Sequence, residues 1–372
     1  MPYRDDPLSQ TGTIHYIYPR YKTVSFNSVS EQHIKHLSSR VKIQKIDEEV
    51  LDNMMWIQPR KILLHPILYI TIGDKEGMFK ARQKRLTNVL KIKSRIGGFE
   101  TSDSDQISKI AVDVLNRFDV VFLPSTFAIK AFKKSGVQIP LELVPHGLSD
   151  SFLNPDTAIK ADSIRHIREI KEKHGSTLVL FFCLHSDYRK GADLVYEAME
   201  HIQGMHKDVV LVLKKTSHDM AINEKFRKIR LIEVPTWLSD EELRQLYDVC
   251  DLLLVPSRGG GFELNALEGL ARGLPTLIPS AGCFTDYIQY AIPLPITGNP
   301  RVFPDNPIHI GNGWETSSDQ LAYMIHQVLE SIETWKEKAQ DNAPIIREKY
   351  AWKTVCNSLF DLLVKYGFCD KA

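Results

Sequence analysis

Residues 251–288 read DLLLVPSRGGGFELNALEGLARGLPTLIPSAGCFTDYI, and this stretch decides the fold. An apolar run is followed by three glycines at 259–261 and by an amphipathic segment with Glu268, which predicts a helix. A second apolar run, 276–279, leads through small residues into another predicted helix near Thr285. Continuous apolar runs are typical of strands buried on both faces of a parallel sheet. The stretch therefore predicts consecutive strand–turn–helix units of an α/β protein.

The glycine turn predicts a ligand site. Ligands of open α/β sheets bind at the carboxyl ends of strands. Glycines let backbone N–H groups approach a phosphate or sugar, and helix N-termini favour anions. Glu268 lies two turns into its helix, where a carboxylate suits the hydroxyls of a ribose. The alternative is a glycine-rich turn with a solvated glutamate.

The rest of the chain alternates apolar runs with helical patterns. Strands are predicted over 13–18, 41–46, 61–72, 119–124, 141–145, 177–184, 208–213 and 229–234. Helices are predicted over 30–40, 105–117, 159–173, 239–249, 317–338 and 343–366. Ser239 and Glu242 form the capping-box pattern at the start of the fourth helix. The length of 372 residues suggests two domains.

The composition is that of an ordinary globular protein, with 43% hydrophobic and 25% charged residues. It excludes disorder, collagen and coiled coil as the main state. The net charge of +1 argues against a dedicated nucleic-acid binder, although residues 1–150 carry +6 and residues 151–372 carry −5. No signal peptide, membrane span or CxxC pair is found, so we expect a cytoplasmic protein without a zinc site.

A cationic segment, HSDYRKG at 185–191, directly follows the apolar run 177–184. Lys190, at the end of a predicted strand, suits a diphosphate as a compact charge. The alternative is a solvated surface lysine. Two further segments, VPHGL at 144–148 and VPTWLS at 234–239, also follow apolar runs.

In order and spacing these segments resemble the retaining glycosyltransferases of family 4, which have the GT-B fold. The matching motifs are VPHGLSDSF, RKGADLVYEAM, VPTWLSDEELRQLYDVCDLLLVPS and GGGFELNALEGLARGLPTLIPS, within about residues 119–290. The resemblance implies an α/β protein of two Rossmann-like domains whose parallel sheets face an interdomain cleft. Residues 1–147 would bind the acceptor, 148–345 would bind the nucleotide sugar, and a final helix within 346–372 would cross back to the first domain.

The resemblance also implies the activity. A hexose would pass from a UDP- or GDP-sugar to a glycan, lipid or other acceptor with retention, and neither a metal nor another cofactor would be needed. Two other possibilities stay open. One is a hydrolase, epimerase or phosphorylase on the same fold. The other is a non-catalytic nucleotide-sugar binder, because the sequence departs from the family at one acidic position.

That departure concerns the family's Glu-x7-Glu motif. Its second glutamate matches Glu268, which would bind the donor ribose, whereas the first falls on Gly260. The donor sugar would then be contacted by Glu263, a catalytic candidate, or by the backbone N–H groups of Gly261 and Phe262.

The donor phosphates would be bound at two places. Arg189 and Lys190 would bind the diphosphate, with His185 at the family's arginine position. The predicted helix start at Gly282–Thr285 would meet a phosphate.

Three further assignments concern the base, the acceptor and the membrane. Pro235 and Trp237 would lie at the base. Glu100 and His65 are catalytic candidates of the first domain, the alternatives being a solvated glutamate and a structural histidine. Residues 75–95 carry eight Lys/Arg and one acid, which predicts a basic amphipathic helix able to lie on an anionic membrane. The alternative is a solvated basic face.

Overall fold

The structure is a computed structural model that describes residues 12–22, 24–53, 61–73, 75–91, 95–184, 186–215 and 221–370. The chain divides into two compact units. The first unit comprises the chain up to Gly147, the segment Phe303–Gly311 and the residues from Trp352 on. The second comprises Leu148–Val302 and Asn312–Ala351. The segment 303–311, which the sequence assigns to the second domain, therefore belongs to the first unit.

The first unit is built on a six-stranded parallel sheet. Its strands are β1 (Ile14–Tyr18), β2 (Ile43–Asp47), β3 (Lys61–Leu64), β4 (Arg95–Phe99), β5 (Val120–Leu123) and β6 (Leu141–Leu143). Its helices are α1 (Ser25–Leu37), α2 (Ile67–Thr71), α3 (Glu76–Leu90), α4 (Lys109–Leu115), α5 (Thr126–Ser135) and, after the second unit, α15 (Trp352–Lys365). The strand order is β2-β1-β3-β4-β5-β6. The chain adds β2 on one side of β1 and the later strands on the other side, so the switch point lies between β1 and β3.

The second unit has its own six-stranded parallel sheet. Its strands are β7 (Thr177–Cys183), β8 (Val209–Lys215), β9 (Leu231–Val234), β10 (Leu252–Leu254), β11 (Thr276–Pro279) and β12 (Ile292–Leu294). Its helices are α6 (Asp150–Leu153), α7 (Asp162–His174), α8 (Asp187–Lys190), α9 (Ala192–Met205), α10 (Ala221–Phe226), α11 (Asp240–Val249), α12 (Leu264–Ala271), α13 (Ser318–Leu329) and α14 (Ile332–Lys349). The order β12-β11-β10-β7-β8-β9 is the Rossmann order, with its switch point between β7 and β10.

The strand predicted over 61–72 is wrong beyond Leu64. Pro66 has no N–H to donate to a sheet, and the apolar residues after it form α2, whose Ile67 and Leu68 are fully buried. A short apolar run alone does not distinguish a buried helix from a strand. Two α/β units with parallel sheets, however, are confirmed.

Strand β4 escaped the sequence analysis because glycines 97 and 98 lower the strand propensity of RIGGF. The structure explains why glycines stand there. A Cβ on Gly98 would lie 2.6 Å from the carbonyl oxygen of Leu64 in the neighbouring strand. The glycines therefore allow the close approach that seats Phe99 and Glu100 at the end of β4.

The capping box of Ser239 and Glu242 is confirmed at the start of α11. The prediction of two long C-terminal helices is wrong, because the structure has three helices, α13 to α15, in this region. The break before α15 has a backbone cause: the carbonyl of Tyr350 accepts the N–H of Leu148 at 2.8 Å, and Ala351 bridges to Leu148. The helix predicted near Thr285 is instead a five-residue 3₁₀ turn, Gly282–Asp286.

Buried ion pairs fix α11 against α12. Asp248 of α11 accepts from Arg272, whose Nε lies 2.7 Å from Oδ1, and it also pairs with Arg244. All three side chains are almost fully buried. Breaking a buried ion pair leaves a buried charge without a partner, which costs free energy. This network therefore holds the two helices in a fixed register.

Candidate functional site

The candidate residues of the second unit lie at the switch point of its sheet. Arg189 and Lys190 end α8, the single turn that follows β7. The glycines at 259–261 and Glu263 connect β10 to α12. Because β7 and β10 are paired neighbours, both segments leave the same edge of the sheet side by side.

One carboxylate joins the two cations. Lys190 Nζ donates to both carboxylate oxygens of Glu263, at 2.8 and 2.6 Å. Arg189 Nη1 lies 3.7 Å from Glu263 Oε1 and donates to the carbonyl of Gly259 at 3.0 Å. Glu263 and Arg189 are buried, with 3% and 8% exposure. The two cations and one carboxylate give the cluster a net positive charge beside the glycine turn.

The position of Glu263 explains the glycine at 260. A Cβ on Gly260 would lie 2.4 Å from Glu263 Oε1. Glu263 thus brings its carboxylate to the space that a side chain at position 260 would enter. The acidic group of this turn therefore comes from position 263, and it occupies the space beside Gly260.

Glu268 lies on α12, where Tyr247 of α11 donates its hydroxyl to Oε2 at 2.7 Å. Burial raises the pKa of the Glu268 carboxyl to about 7, although the Tyr247 hydrogen bond opposes the shift. Tyr247 is fully buried and stacks on Phe182 at 5.4 Å between ring centroids. The sequence gives no signal for Tyr247 beyond its place in a family motif.

Gly282 and Thr285 follow β11, the strand next to β10. Gly282 has φ +63° and an added Cβ would lie 2.1 Å from Trp314, so only glycine fits. The Thr285 hydroxyl donates to the carbonyl of Gly282 at 2.9 Å and is exposed. These residues form a tight turn at a strand end, not the helix start that the sequence predicts.

Pro235 and Trp237 lie apart from this cluster, after the edge strand β9. Both are exposed, Trp237 by 82%. Their loop is anchored by Lys214 at the end of β8, whose Nζ donates to the carbonyl of Thr236 at 2.8 Å. Burial lowers the pKa of Lys214. The sequence analysis assigned no role to Lys214; the signal that could have identified it is the pair of lysines that ends DVVLVLKK. His185 lies outside the described residues.

Arg258 is a positioning residue that the sequence analysis missed. It stands inside the fold-deciding stretch and is 2% exposed. Its guanidinium donates to Asp193 at 2.7 Å through both terminal nitrogens, and to the carbonyl of Tyr188 at 2.6 Å. The backbone N–H of Arg258 also donates to the backbone carbonyl of Arg189. Arg258 thereby ties the glycine turn to α8 and to the start of α9.

The first unit has a separate small pocket at the carboxyl ends of its strands. Its lining residues are Phe26, His33, His65, Phe99, Glu100, Thr101, Phe122, Pro124, Val144 and His146. It therefore brings together His65 and Glu100, the two candidates that the sequence places in this domain.

Three histidines share the pocket, and two of them, His33 and His65, are buried. Tyr16 Oη lies 2.9 Å from His33 Nδ1 and 3.0 Å from His65 Nδ1. Because a phenol has one proton to donate, at least one of these imidazoles donates to Tyr16. Burial lowers the pKa of His33 to about 3 and that of His146 to about 4, and it lowers the pKa of His65 as well. The imidazoles are therefore neutral at physiological pH.

Glu100 is the acid of the same pocket and is 6% exposed, which rules out the solvated alternative. Its Oε2 accepts from the N–H of Leu68 at 2.5 Å and its Oε1 from that of Thr101 at 2.9 Å. Burial nevertheless raises its pKa to about 7. Glu100 is therefore a group of the pocket that can take up or release a proton near neutral pH. Nothing local in the sequence connects Tyr16 and His33 to it.

A family model described as "Family 4 Glycosyltransferase in conflict systems" matches residues 142–359, more than half of the chain. The chain is a family 4 glycosyltransferase. It is 29% identical over 360 residues to an uncharacterized protein 356 of Sulfolobus islandicus rod-shaped virus 1, covering 95% of this chain and 99% of the relative.

Solved structures show that the glycosyltransferase has the GT-B fold. A sucrose-phosphate synthase from Thermosynechococcus elongatus matches with a TM-score of 0.68 and 14% identity, over 95% of this chain and 98% of that one. A UDP-forming trehalose-phosphate synthase from Burkholderia xenovorans, in complex with glucose-6-phosphate, matches with a TM-score of 0.61 and 10% identity, over 95% and 100% of the two chains. At these identities the likeness shows the fold alone.

The basic segment of this glycosyltransferase forms α3, whose apolar side faces inward. Val89 is buried, and Phe79 and Leu86 pack against the core of the first unit. Arg85 is also turned inward, with Nε 2.8 Å from Asp52 Oδ1. Lysines 75, 80, 84 and 91 are exposed. Contact with an anionic membrane stays a prediction, and it would be electrostatic. No helix in the described part of the chain is both long and apolar enough to cross a bilayer.

Proposed function

We propose that this glycosyltransferase moves a hexose from a UDP- or GDP-sugar to a glycan, lipid or other hydroxyl acceptor, with retention at the anomeric carbon and without a metal ion. The observation that carries the proposal is the cluster of buried Arg189 and Glu263 with half-buried Lys190 at the switch point of the second unit. Two cations beside a glycine turn suit a diphosphate, and one carboxylate at the same turn suits sugar hydroxyls.

The donor would lie along the strand ends of the second unit. Lys190 and Arg189 would bind the diphosphate, as would the turn at Gly282 and Thr285. Glu268, which already accepts one hydrogen bond from Tyr247, would accept others from the ribose hydroxyls.

The base and the sugar would occupy the two ends of this site. Pro235 and Trp237 offer an exposed apolar surface beside the loop that Lys214 anchors. The donor sugar would meet Glu263 and the backbone of residues 260–262. The trehalose-phosphate synthase with the same fold is UDP-forming, so UDP-sugars are the first donors to test.

The reaction would break the bond between the anomeric carbon and the diphosphate and form one to the acceptor oxygen on the same face of the sugar. Lys190, Arg189 and backbone N–H groups would stabilise the charge that develops on the leaving diphosphate. The acceptor proton would pass to a diphosphate oxygen as that bond breaks, so no enzyme nucleophile is required.

The acceptor hydroxyl would bind in the pocket of the first unit. His65 and Glu100 can each donate or accept one hydrogen bond there, and the half-buried ring of Phe26 offers an apolar surface beside them. Because the imidazoles are neutral, a neutral hydroxyl can bind without the desolvation of a charge.

The test is turnover. Purified protein is incubated with UDP-, GDP- and ADP-hexoses, with and without glycan and lipid acceptors and with and without EDTA, and release of the nucleoside diphosphate is measured. We expect one donor class to support acceptor-dependent release that EDTA does not change, with the anomeric configuration retained in the product by NMR. Tight donor binding without release under any acceptor would instead identify a non-catalytic nucleotide-sugar binder.

Replacing Glu268 tests the ribose assignment. At pH 8, where the Glu268 carboxyl is mostly ionised, Glu268→Ala should weaken UDP or GDP binding by about 1–3 kcal/mol, because a charged hydrogen-bond acceptor is lost. Calorimetry should also show that the variant binds the 2′,3′-dideoxy nucleotide as weakly as the wild type does. Glu197→Ala, on the exposed side of α9, is the matched control. Equal losses for the ribo- and dideoxy nucleotides would contradict the assignment.

A further inference from the structure

Three side chains of types that bind metals lie together in the second unit, away from the carboxyl ends of its strands. His206 directly follows α9, His326 lies on α13, and Glu330 directly follows α13. His206 Nε2 lies 3.0 Å from His326 Nδ1, and His326 Nδ1 lies 4.0 Å from Glu330 Oε1. The three ligand atoms all lie within 4.8 Å of one another. In the described part of the chain this is the one such group of His, Cys, Asp or Glu side chains.

The backbone that carries these side chains is firmly held. His326 and Glu330 are one helical turn apart, so both face the same side of α13. Helices α9 and α13 share a hydrophobic core that includes Met199, Ile202 and Ile325. The N–H of His206 donates to the carbonyl of Ile202, and its own carbonyl accepts from Arg230 Nη2, both at 2.8 Å.

The spacing suits a tetrahedral ion. Zinc–nitrogen bonds of about 2.0–2.1 Å at tetrahedral angles place two ligand nitrogens roughly 3.3 Å apart. The imidazoles of His206 and His326 therefore need to separate by only a few tenths of an ångström. A neutral imidazole carries one proton, and the proton now shared between the two rings would move to the outer nitrogen of its ring.

We propose that His206, His326 and Glu330 bind a Zn²⁺ ion, or another divalent ion that prefers imidazole, with the fourth position open to water. Two imidazoles and one carboxylate favour zinc-like ions over Mg²⁺ or Ca²⁺, which prefer oxygen ligands. Helix α9 begins after Lys190 and spans about 20 Å. The ion is therefore remote from the cluster proposed for the diphosphate, and its role is to fasten the end of α9 to α13.

The test is metal binding by the full-length protein. Calorimetric titration with Zn²⁺ should give one site per chain, and Co²⁺ should give the visible absorption of a tetrahedral complex. His206→Asn and His326→Asn should each weaken Zn²⁺ binding at least tenfold, with a smaller loss for Glu330→Gln. Saturating Zn²⁺ should raise the melting temperature of the wild type by several degrees, and of the histidine variants by much less, because only the native state holds the site.

His201→Asn is the matched control, since His201 is an exposed histidine of the same helix outside the cluster. It should bind Zn²⁺ as the wild type does. Circular dichroism without metal verifies that each variant is folded. Wild-type stoichiometry and affinity in a folded His206→Asn variant would overturn the proposal, as would a wild type that binds Zn²⁺ no more tightly than the variants.

Discussion

Lys190→Ala should lower the turnover of the glycosyltransferase by about 10²–10³-fold, the usual cost of losing one group that stabilises developing negative charge. Binding should fall with it, by about 1.5–3 kcal/mol for a nucleoside diphosphate, because one charged hydrogen-bond donor is lost. Affinity for the nucleoside alone should not change. Steady-state kinetics and calorimetry with UDP and uridine measure the three effects.

The pairing of Lys190 with Glu263 adds a second contribution. In the alanine variant the buried Glu263 loses the cation that lies closest to it and keeps Arg189, at 3.7 Å, so an under-compensated carboxylate repels the diphosphate. Glu263→Gln in the same background should therefore restore part of the UDP affinity, and the double-mutant cycle separates the two contributions. Lys173→Ala, an exposed lysine of α7, is the control. Equal losses for UDP and uridine would rule out a diphosphate role for Lys190.

Glu100→Gln should remove the part of the pH dependence by which Glu100 lowers the stability of the wild type as pH rises toward neutrality. Burial raises the pKa of Glu100 from 4.5 to about 7, so the folded protein holds a proton that the unfolded chain releases between these values. The contribution of Glu100 to stability is therefore largest below the unfolded pKa and is lost as pH rises through the folded one. The loss is roughly 3 kcal/mol, because a tenfold change in acid strength corresponds to about 1.4 kcal/mol. Glutamine cannot ionise, so this decline should be absent.

Urea unfolding of both proteins at pH values from 4 to 8 measures the difference. Glutamine can replace only one of the two carboxylate acceptors that bind the N–H groups of Leu68 and Thr101, which costs about 1 kcal/mol at every pH and leaves the slope unaffected. Glu49→Gln, an exposed acid of the same unit, should follow the wild type. If Glu100→Gln shows the wild-type pH dependence, Glu100 is not protonated in the folded protein near pH 7.

The sequence was sufficient to predict where a residue lies when its position depends on the strand that it follows. Runs such as 177–184 and 251–256 are apolar because both faces of their strands are buried, and whatever follows them must lie at the sheet edge. Lys190 and the glycine turn could therefore be placed together from the order of motifs. The pairing of Lys190 with Glu263 could not, since it depends on side-chain conformation across two neighbouring loops.

The pocket of the first unit was the harder case. Its histidines come from helix α1 and from the chain after β3 and β6, and each looks like an ordinary buried residue in its own segment. Tyr16 joins two of them from β1, at separations of 17 and 49 residues. Such contacts leave no local pattern. The glycines at 97 and 98 concealed β4 for a similar reason, because they are required by the packing of β3, which is adjacent in the sheet but far away in the sequence.

The closeness of Gly260 and Glu263 makes positions 260 and 263 interdependent. An acidic side chain introduced at position 260 would compete with the Glu263 carboxylate for one space. Loss of Glu263 alone would remove the carboxylate that pairs with Lys190 and lies near Arg189. The turn therefore accommodates one carboxylate, and we expect an acid at position 260 to be tolerated only when Glu263 is replaced as well.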